Sequence, residues 1–499
     1  MAINQDYVTI KSDSIVKVLT AQVVVKATLD ANADGFSVLG TSAEANAIAI
    51  EPMQGEVVIS GKVNFKALLY NNEEGVMSLD YFADFSENIK SELISASSKL
   101  IADLKVIDTS SVTEGNDIML TAVVEMVIEE TLTYELSALA NIGDSIFAKN
   151  NTINSDYMVA CAQGAFEVYD EIQTAGVIDK ILNCDIKVAT LSTECFENVV
   201  VINVEAYVSV CYKAEGKLVT TNLIIPFKEE LEASGATAGC SAISNLYIKS
   251  KRIILSANKG DNLVRIELVV AARIPVFKSE KYNIVCDVFS CKNTLKCDMK
   301  KTECLNYIKY CCFKQKISAS AALDDKMPKV AEIMAVSLAK NNVANLIAGN
   351  NQITIEGLVT CCVVYMSVDG VPASVRAELP YSLKLPAEGV CMGDILSGYG
   401  VVYNVYAYNN KGSIDLKADI CVCSKVQRKN SFIIITNVVE GDLKCDCSNA
   451  ISMYVANGGE ELWDIVKIMS LAPEMIAMQN PDMGLPLVSG NKVIVYREL

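Results

Sequence analysis

Thiols and carboxylates are the abundant reactive groups of this chain: its 499 residues include 18 cysteines and 60 acidic residues, and no histidine. Without imidazole there is no Ser-His-Asp or Cys-His catalytic unit, no His-ligated zinc or non-haem iron, and no histidine proton shuttle at neutral pH. Ser14-Ile15-Val16-Lys17 has the S-x-x-K spacing of Ser-Lys acyltransferases, but no K-T-G or S-D-N accompanies it and it lies in a strand-like segment. There is no P-loop, and Gly393, Gly398 and Gly400 do not form a dinucleotide fingerprint. A glycosidase needs only a pair of carboxylates, and no motif selects a pair here. The expectation is a non-enzymatic protein without a cofactor.

The cysteines are absent from the first 160 residues and densest at Cys286, Cys291, Cys297, Cys304, Cys311 and Cys312. None forms a C-x-x-C pair. Cys421-Val422-Cys423 and Cys445-Asp446-Cys447 are C-x-C pairs, which an extended strand presents on one face. Two such pairs are enough thiolates for a zinc site, but structural zinc sites favour C-x₂₋₄-C knuckles. The expected inventory therefore holds no metal, and the cysteines read as small apolar strand residues kept reduced in a cytosol.

With 43 basic residues against the 60 acidic ones the formal net charge is −17. Such a chain repels nucleic-acid phosphates and anionic membrane surfaces, so no nucleic acid is expected as partner. Met1-Ala2-Ile3-Asn4-Gln5-Asp6 has no signal-peptide character, and no apolar run approaches the roughly 18 residues of a membrane span. The expected place is the cytoplasm.

The elements that would position these groups are read from an internal repeat. One segment occurs three times, as Gly55 to Phe85, Glu197 to Phe227 and Asn351 to Tyr381. Anchored on Tyr70, Tyr212 and Tyr365, each copy continues to a turn glycine (Gly75, Gly216, Gly370) and closes on an aromatic (Phe85, Phe227, Tyr381). The copies lie about 150 residues apart, which is domain spacing rather than solenoid spacing. Asn203 is read as the counterpart of Gly61 and Gly357, and the three tyrosines read as packing residues.

Alternation at Val57, Ile59, Val63, Phe65, Ala67 and Leu69 predicts strands, with a hairpin turn at Asn71 to Gly75. Second hairpins are predicted from Leu100–Ile107 with Ile118–Ile128, Leu246–Leu255 with Leu263–Ile274, and Gly400–Tyr408 with Ser413–Val422. Their turns fall at Glu114-Gly115-Asn116, Lys259-Gly260-Asp261 and Asn409 to Gly412. Opening apolar segments at Ile15–Lys26, Val177–Val188 and Val330–Leu338 complete each unit, an antiparallel sandwich or small barrel.

After Cys447 the periodicity becomes helical. Tyr454-Val455 reads as a short strand, and Leu462, Ile465, Val466 and Met469 share one face of a helix that follows Gly459-Glu460-Glu461. Pro473 opens a second helix, Asn480-Pro481 ends it, and Val493 to Val495 forms a closing strand. Trp463, the only tryptophan, reads as core rather than as a ligand platform.

This β-α-α-β order, with Gly459-Glu460-Glu461-Leu462-Trp463, Pro473-Glu474-Met475-Ile476, Asn480-Pro481, Leu487 and Gly490 in place, resembles the LysM domain. The resemblance implies a shallow groove for N-acetylglucosamine polymers. Its positions here are Gly459, Glu460, Glu461 and Leu462, facing Asn480, Pro481, Asp482, Met483 and Gly484. Glu461 stands where the family usually has Thr or Ser, so an acceptor-only anion replaces a compact donor and acceptor. That change favours a protein in the groove over a glycan.

The repeats are similar to the SPOCS domain, with Pro226-Phe227, Pro380-Tyr381 and a degenerate Asp84-Phe85 at its Pro-Phe position. Three SPOCS modules before one LysM resemble the clostridial spore-coat morphogenesis proteins. The resemblance implies a mainly β protein of three homologous antiparallel domains (1–150, 151–312, 313–448) and a small α+β LysM domain (449–499). It also implies a scaffold in the mother-cell cytoplasm, associated with the forespore, whose LysM domain docks a coat morphogenetic protein of the basement layer. Peptidoglycan or cortex glycan binding through LysM is the alternative.

Overall fold

The computed structural model describes residues 3–30, 36–73, 75–98, 100–114, 117–143, 145–174, 176–255, 262–322, 327–410, 413–444 and 451–496. The expected second-hairpin turns at 115–116, 259–261 and 411–412, and the Cys445/Cys447 pair, fall wholly or partly outside these residues. So do the side chains of Ser14 to Lys17, whose backbone lies within the first strand.

Alternating apolar residues form three units, each built on six long strands, with one short extra strand in the second. The first unit holds β1 (Gln5–Asp30), β2 (Ser37–Met53), β3 (Glu56–Asn71), β4 (Gly75–Lys90), β5 (Leu100–Glu114) and β6 (Asp117–Ile142). The second holds β7 (Phe147–Gln173), β8 (Ile178–Phe196), β9 (Val199–Ala214), β10 (Lys217–Glu232), the short β11 (Ser241–Ala242), β12 (Asn245–Leu255) and β13 (Leu263–Phe289). The third holds β14 (Asn293–Ala322), β15 (Val330–Gly349), β16 (Gln352–Ser367), β17 (Pro372–Pro386), β18 (Ile395–Asn410) and β19 (Ser413–Leu443). Each unit packs a three-stranded meander (β2-β3-β4, β8-β9-β10, β15-β16-β17) on a sheet whose central strand pairs with the unit's first strand (β1-β6-β5, β7-β13-β12, β14-β19-β18). All pairings are antiparallel. The apolar faces meet in a sandwich core, such as Ile59, Phe65 and Leu69 against Leu120, Val124 and Ile128 in the first unit.

Three expectations change. β14 runs through residue 312, the expected boundary; the second unit closes at Phe289 and the third opens at Asn293. The expected opening segments are also not equivalent: Ile15–Lys26 lies in β1, whereas Val177–Val188 and Val330–Leu338 lie in or at β8 and β15, counterparts of β2. The third change concerns register. Tyr212 and Tyr365 are fully buried, but in the first unit the matching core residue is Leu69, and Tyr70 lies on the other face with its hydroxyl donating to Asn72 Oδ1. Successive strand residues point to opposite faces, so an anchor off by one residue reverses every side chain.

The same shift replaces Asn203 by Val204 as the counterpart of Gly61, and Val204 matches Gly357 as well. Gly61 lies opposite Phe85, Val204 opposite Phe227, and Gly357 opposite Tyr381. A Cβ on Gly61 would stand 2.6 Å from Asn46 O and 2.6 Å from the Phe85 ring. In the second unit Phe227 packs tilted on Phe166, centroids 5.6 Å apart, beside buried Val204. Gly61→Ala is therefore expected to cost about 1–3 kcal/mol through overpacking, measured as a lowered denaturant midpoint. An unchanged midpoint would show that the ring yields freely.

β6, β13 and β19 run well past the predicted hairpins, to Ile142, Phe289 and Leu443, and pair there with the first halves of β1, β7 and β14. Bulges at residues 18, 159 and 308 interrupt the three pairings where these ribbons leave their sandwiches. A two-stranded ribbon cannot bury an apolar face alone; here three ribbons share one. Leu139, Ile142, Val285, Val288, Ile435 and Val438 form one layer, and Ile10, Ala138, Ile284 and Ile434 another. The buried carboxylates of Asp13 and Asp156 tie consecutive ribbons, accepting from Met158 N at 2.6 Å and Tyr307 N at 2.5 Å.

The meanders also meet. Lys66 on β3 is 5% exposed and donates to Asn183 Oδ1 (3.1 Å), Cys184 O (2.9 Å) and Asp185 Oδ1 (2.8 Å) of β8. Asn183 Nδ2 donates in turn to Ser337 Oγ of β15 at 2.8 Å, so one polar hub joins all three units. Lys187 pairs with Glu44 beside it.

Candidate functional site

Residues 451–496 form a separate small module: β20 (Ile451–Val455), α1 (Leu462–Met469), α2 (Pro473–Gln479) and β21 (Lys492–Tyr496), with β20 and β21 antiparallel. The helical spacing translates directly. Ile465 and Val466 are buried, Leu462 and Met469 partly so, around Ile476, Leu487, Val493 and Val495. Pro473 stands in the first turn of α2, where its missing N–H has no intrahelical partner to lose.

The residues of the expected groove divide into two kinds. Glu460 organises its own loop: its carboxylate accepts from Tyr454 Oη (2.9 Å), Asn457 N (2.7 Å) and Gly458 N (2.8 Å). The backbone hydrogen bonds, Asn457 first, hold its carboxyl below the ordinary range. Asn480 ties α2 to β21, donating to Ile476 O and Ile494 O and accepting from Ile494 N. Leu462 and Met483 are half-buried and pack on the module core. Gly459, Glu461, Pro481, Asp482 and Gly484 are exposed. Glu461 caps α1, its backbone N–H donating to Asp464 Oδ2 at 3.0 Å. Hydrogen bonds join the first loop to the stretch after α2 at Leu487, from Gly459 N to Leu487 O (2.7 Å) and from Leu487 N to Glu460 O (2.9 Å), and at Ala456, from Ala456 N to Asn491 O (2.8 Å) and from Gly490 N to Ala456 O (2.9 Å).

Trp463 occupies a place that the sequence does not specify. It is half-buried at the seam between the module and the ribbon end of the second unit. Its indole N–H donates to Asp287 Oδ2 at 2.8 Å, and its ring meets Phe289 edge-on, 5.2 Å between centroids. Phe289 stacks on Phe147 at 5.0 Å. Lys467 Nζ reaches both Asp287 oxygens, at 2.6 and 2.8 Å, and Lys444 Nζ bridges Ser290 O and Ser470 Oγ at 2.7 Å each. Burial raises the Asp287 carboxyl, but the donors Lys467 and Trp463 more than reverse this and hold it below the ordinary range. Asp287, Phe289 and Lys444 carry no local signal of this role, since each becomes a contact only when the C-terminal module packs on the end of β13.

A second constellation involves Cys421 and Cys423, whose sulfurs lie 3.9 Å apart on β19. Their companion is Cys312 of β14, with Sγ 3.1 Å from Cys421 and 2.6 Å from Cys423. Hydrogen bonds from Cys312 and Cys423 hold the Cys421 thiol down at about 4. Hydrogen bonds with Cys421 and Cys423 push the Cys312 thiol up.

Residues 177–254 match the family described as SipL, SPOCS domain. The matched span takes in the β8-β9-β10 meander, β11 and nearly all of β12, and leaves out the long partners β7 and β13. This supports a SPOCS-domain protein related to sporulation. No curated protein and no solved structure matches the chain. Among the described residues, no helix is long and apolar enough to cross a membrane.

Proposed function

We propose that the chain is a non-enzymatic scaffold of spore-coat assembly, made of three SPOCS-like units and a LysM-like module that docks a coat morphogenetic protein of the basement layer at the forespore surface. The observation that carries this reading is the module's orientation. Trp463 and Lys467 of α1 face the second unit, and Ser470, just after α1, accepts from Lys444. The loops bearing Glu461 and Asp482 remain exposed, with Leu485 and Val488 beside them. An acidic surface with apolar neighbours suits a protein with a basic, partly apolar patch better than a neutral sugar polymer. The three units offer further sheet surface to other coat components, and the mother-cell cytoplasm is where such a scaffold would work.

The test uses the full chain and its Glu461→Lys variant, with binding to the purified basement-layer protein measured alongside retention on insoluble peptidoglycan. The expected result is saturable protein binding weakened at least about tenfold, or about 1.4 kcal/mol, by the charge reversal, and no retention on glycan. Retention on peptidoglycan that free N-acetylglucosamine oligomers compete away would replace this reading by the glycan-binding one.

A further inference from the structure

Three thiols from two strands converge at the seam between the second and third units, and their surroundings suit more than apolar packing. Cys312 lies directly across from Cys423 in the β14–β19 ladder, and Cys421 follows on the same face two residues away. The sulfurs of Cys421 and Cys423 are fully buried, while Cys312 retains some exposure. Tyr207 of β9 stacks on Tyr403 at 4.6 Å over the cluster. Tyr310 Oη lies within hydrogen-bonding reach of Cys423, donates to Thr190 O at 3.2 Å and sits 3.4 Å from Tyr399 Oη. Lys314 is paired with Glu205 Oε2 at 2.6 Å beside Cys421 and lies 5.9 Å from the Tyr207 ring centroid.

We propose that Cys312, Cys421 and Cys423 bind a thiophilic d¹⁰ metal ion, Zn(II) or Cu(I). A disulfide uses two sulfurs and leaves the third unexplained, whereas three sulfurs around one point are the donor set that soft ions select. A Zn–S bond of about 2.3 Å places tetrahedral sulfurs about 3.8 Å apart. Cys421 and Cys423 already stand 3.9 Å apart. The adjustment falls on Cys312, the most exposed of the three, whose sulfur must draw back from Cys423 by about 1 Å to match that spacing. Zn(II) would take a fourth ligand from solvent on the Cys312 side, and Cu(I) would be satisfied by three. Tyr310 is a positioning residue, packed on Cys423 from outside the donor set and anchored on Thr190 O.

The test uses full-length protein, reduced and stripped of metal, titrated with Co(II) as a spectroscopic stand-in for zinc and with Cu(I) against a chromogenic Cu(I) chelator. One equivalent is expected to bind with a thiolate-to-metal charge-transfer band. That equivalent should be lost in Cys312→Ser, Cys421→Ser and Cys423→Ser and kept in Cys391→Ser, with far-ultraviolet circular dichroism confirming that each variant is folded. Tyr310→Phe should weaken binding about 10–100-fold without abolishing the band. Preference for Co(II) and Zn(II) identifies zinc, and preference for Cu(I) identifies copper; either result supports the site. Two results would overturn it: no thiolate band in the folded wild type, or a band of equal intensity in a folded Cys421→Ser variant. Because the readout is metal binding alone, it stands apart from the docking experiment.

Discussion

Lys66→Met is expected to destabilise the protein by about 3–5 kcal/mol, the cost of breaking one side of a buried ion pair. The ammonium has three acceptors, all on β8 of the next unit, and its pair with Asp185 is nearly closed to solvent, with side-chain exposures of 6% and 20%. Removing Lys66 leaves Asp185 charged and desolvated and also withdraws a partner from Asn183, which reaches on to Ser337 in the third unit. Adding Asp185→Leu removes the stranded charge, so the double variant should regain much of the loss. Chemical denaturation of both singles and the double measures the coupling. A Lys66→Met cost under about 1 kcal/mol would mean that the hub is solvated, contrary to the geometry.

The hub also has a pH signature. Burial pulls the Lys66 ammonium down, but the Asp185 and Glu44 carboxylates overcome it, so its folded value lies above the ordinary lysine range. Its stabilisation is complete below that ordinary range, about 10.4, and is lost as pH rises through the raised value. Burial raises Asp185, and Lys66 more than reverses this. That contribution is present above the ordinary carboxyl range, about 3.9, and is lost as pH falls through the lowered value. Between these limits the pair should contribute independently of pH.

Trp463→Ala should release the C-terminal module from the body. Truncating a packed tryptophan costs about 3–5 kcal/mol, and this one joins the Phe289–Phe147 stack to α1 while donating to Asp287. Trp463 also touches the module's own core, so Asp287→Ala serves as the companion variant. It leaves that core intact and removes the acceptor shared by Trp463 and Lys467, at about 1.5–3 kcal/mol for charge-assisted bonds. Both variants should raise amide exchange in α1 and protease cleavage between residues 444 and 451, and Trp463→Ala should do so more. Because Asp287 is held below its ordinary range, docking should be complete above about pH 4 and weaken as pH falls through the lowered value. Wild-type exchange rates in Asp287→Ala would show that the seam is not held there. If the module is the docking domain, its release should also uncouple partner binding from the orientation of the three units.

Much of this architecture is written locally. Alternation from Val57 to Leu69 predicts a strand with one face in the core, and β3 has it. The spacing of Leu462, Ile465, Val466 and Met469 predicts a helix, and α1 spans those residues. Each copy of the repeated segment falls on the last two strands of a three-stranded meander, β2-β3-β4, β8-β9-β10 or β15-β16-β17. Register was not legible. Alternation carries no mark that distinguishes Leu69 from Tyr70 as the counterpart of Tyr212, and only the facing aromatic, Phe85 across from Gly61, decides it. Nor was the length of β6, β13 and β19, because Leu139, Val285 and Ile435 find an apolar environment only when three ribbons stack.

By itself the sequence determined element type, the existence of the repeat, the change to a helical module and the absence of histidine chemistry. These are properties of period and composition, felt within a few residues of each position. Tertiary structure alone decided that Lys66 meets Asp185, that Trp463, packed on the module core, also closes the seam to the second unit, and that Cys312 joins Cys421 and Cys423 across more than a hundred residues. Those meetings depend on which faces are left uncovered once each unit has closed. Burial then selects partners by shape and charge, with no periodicity to announce them.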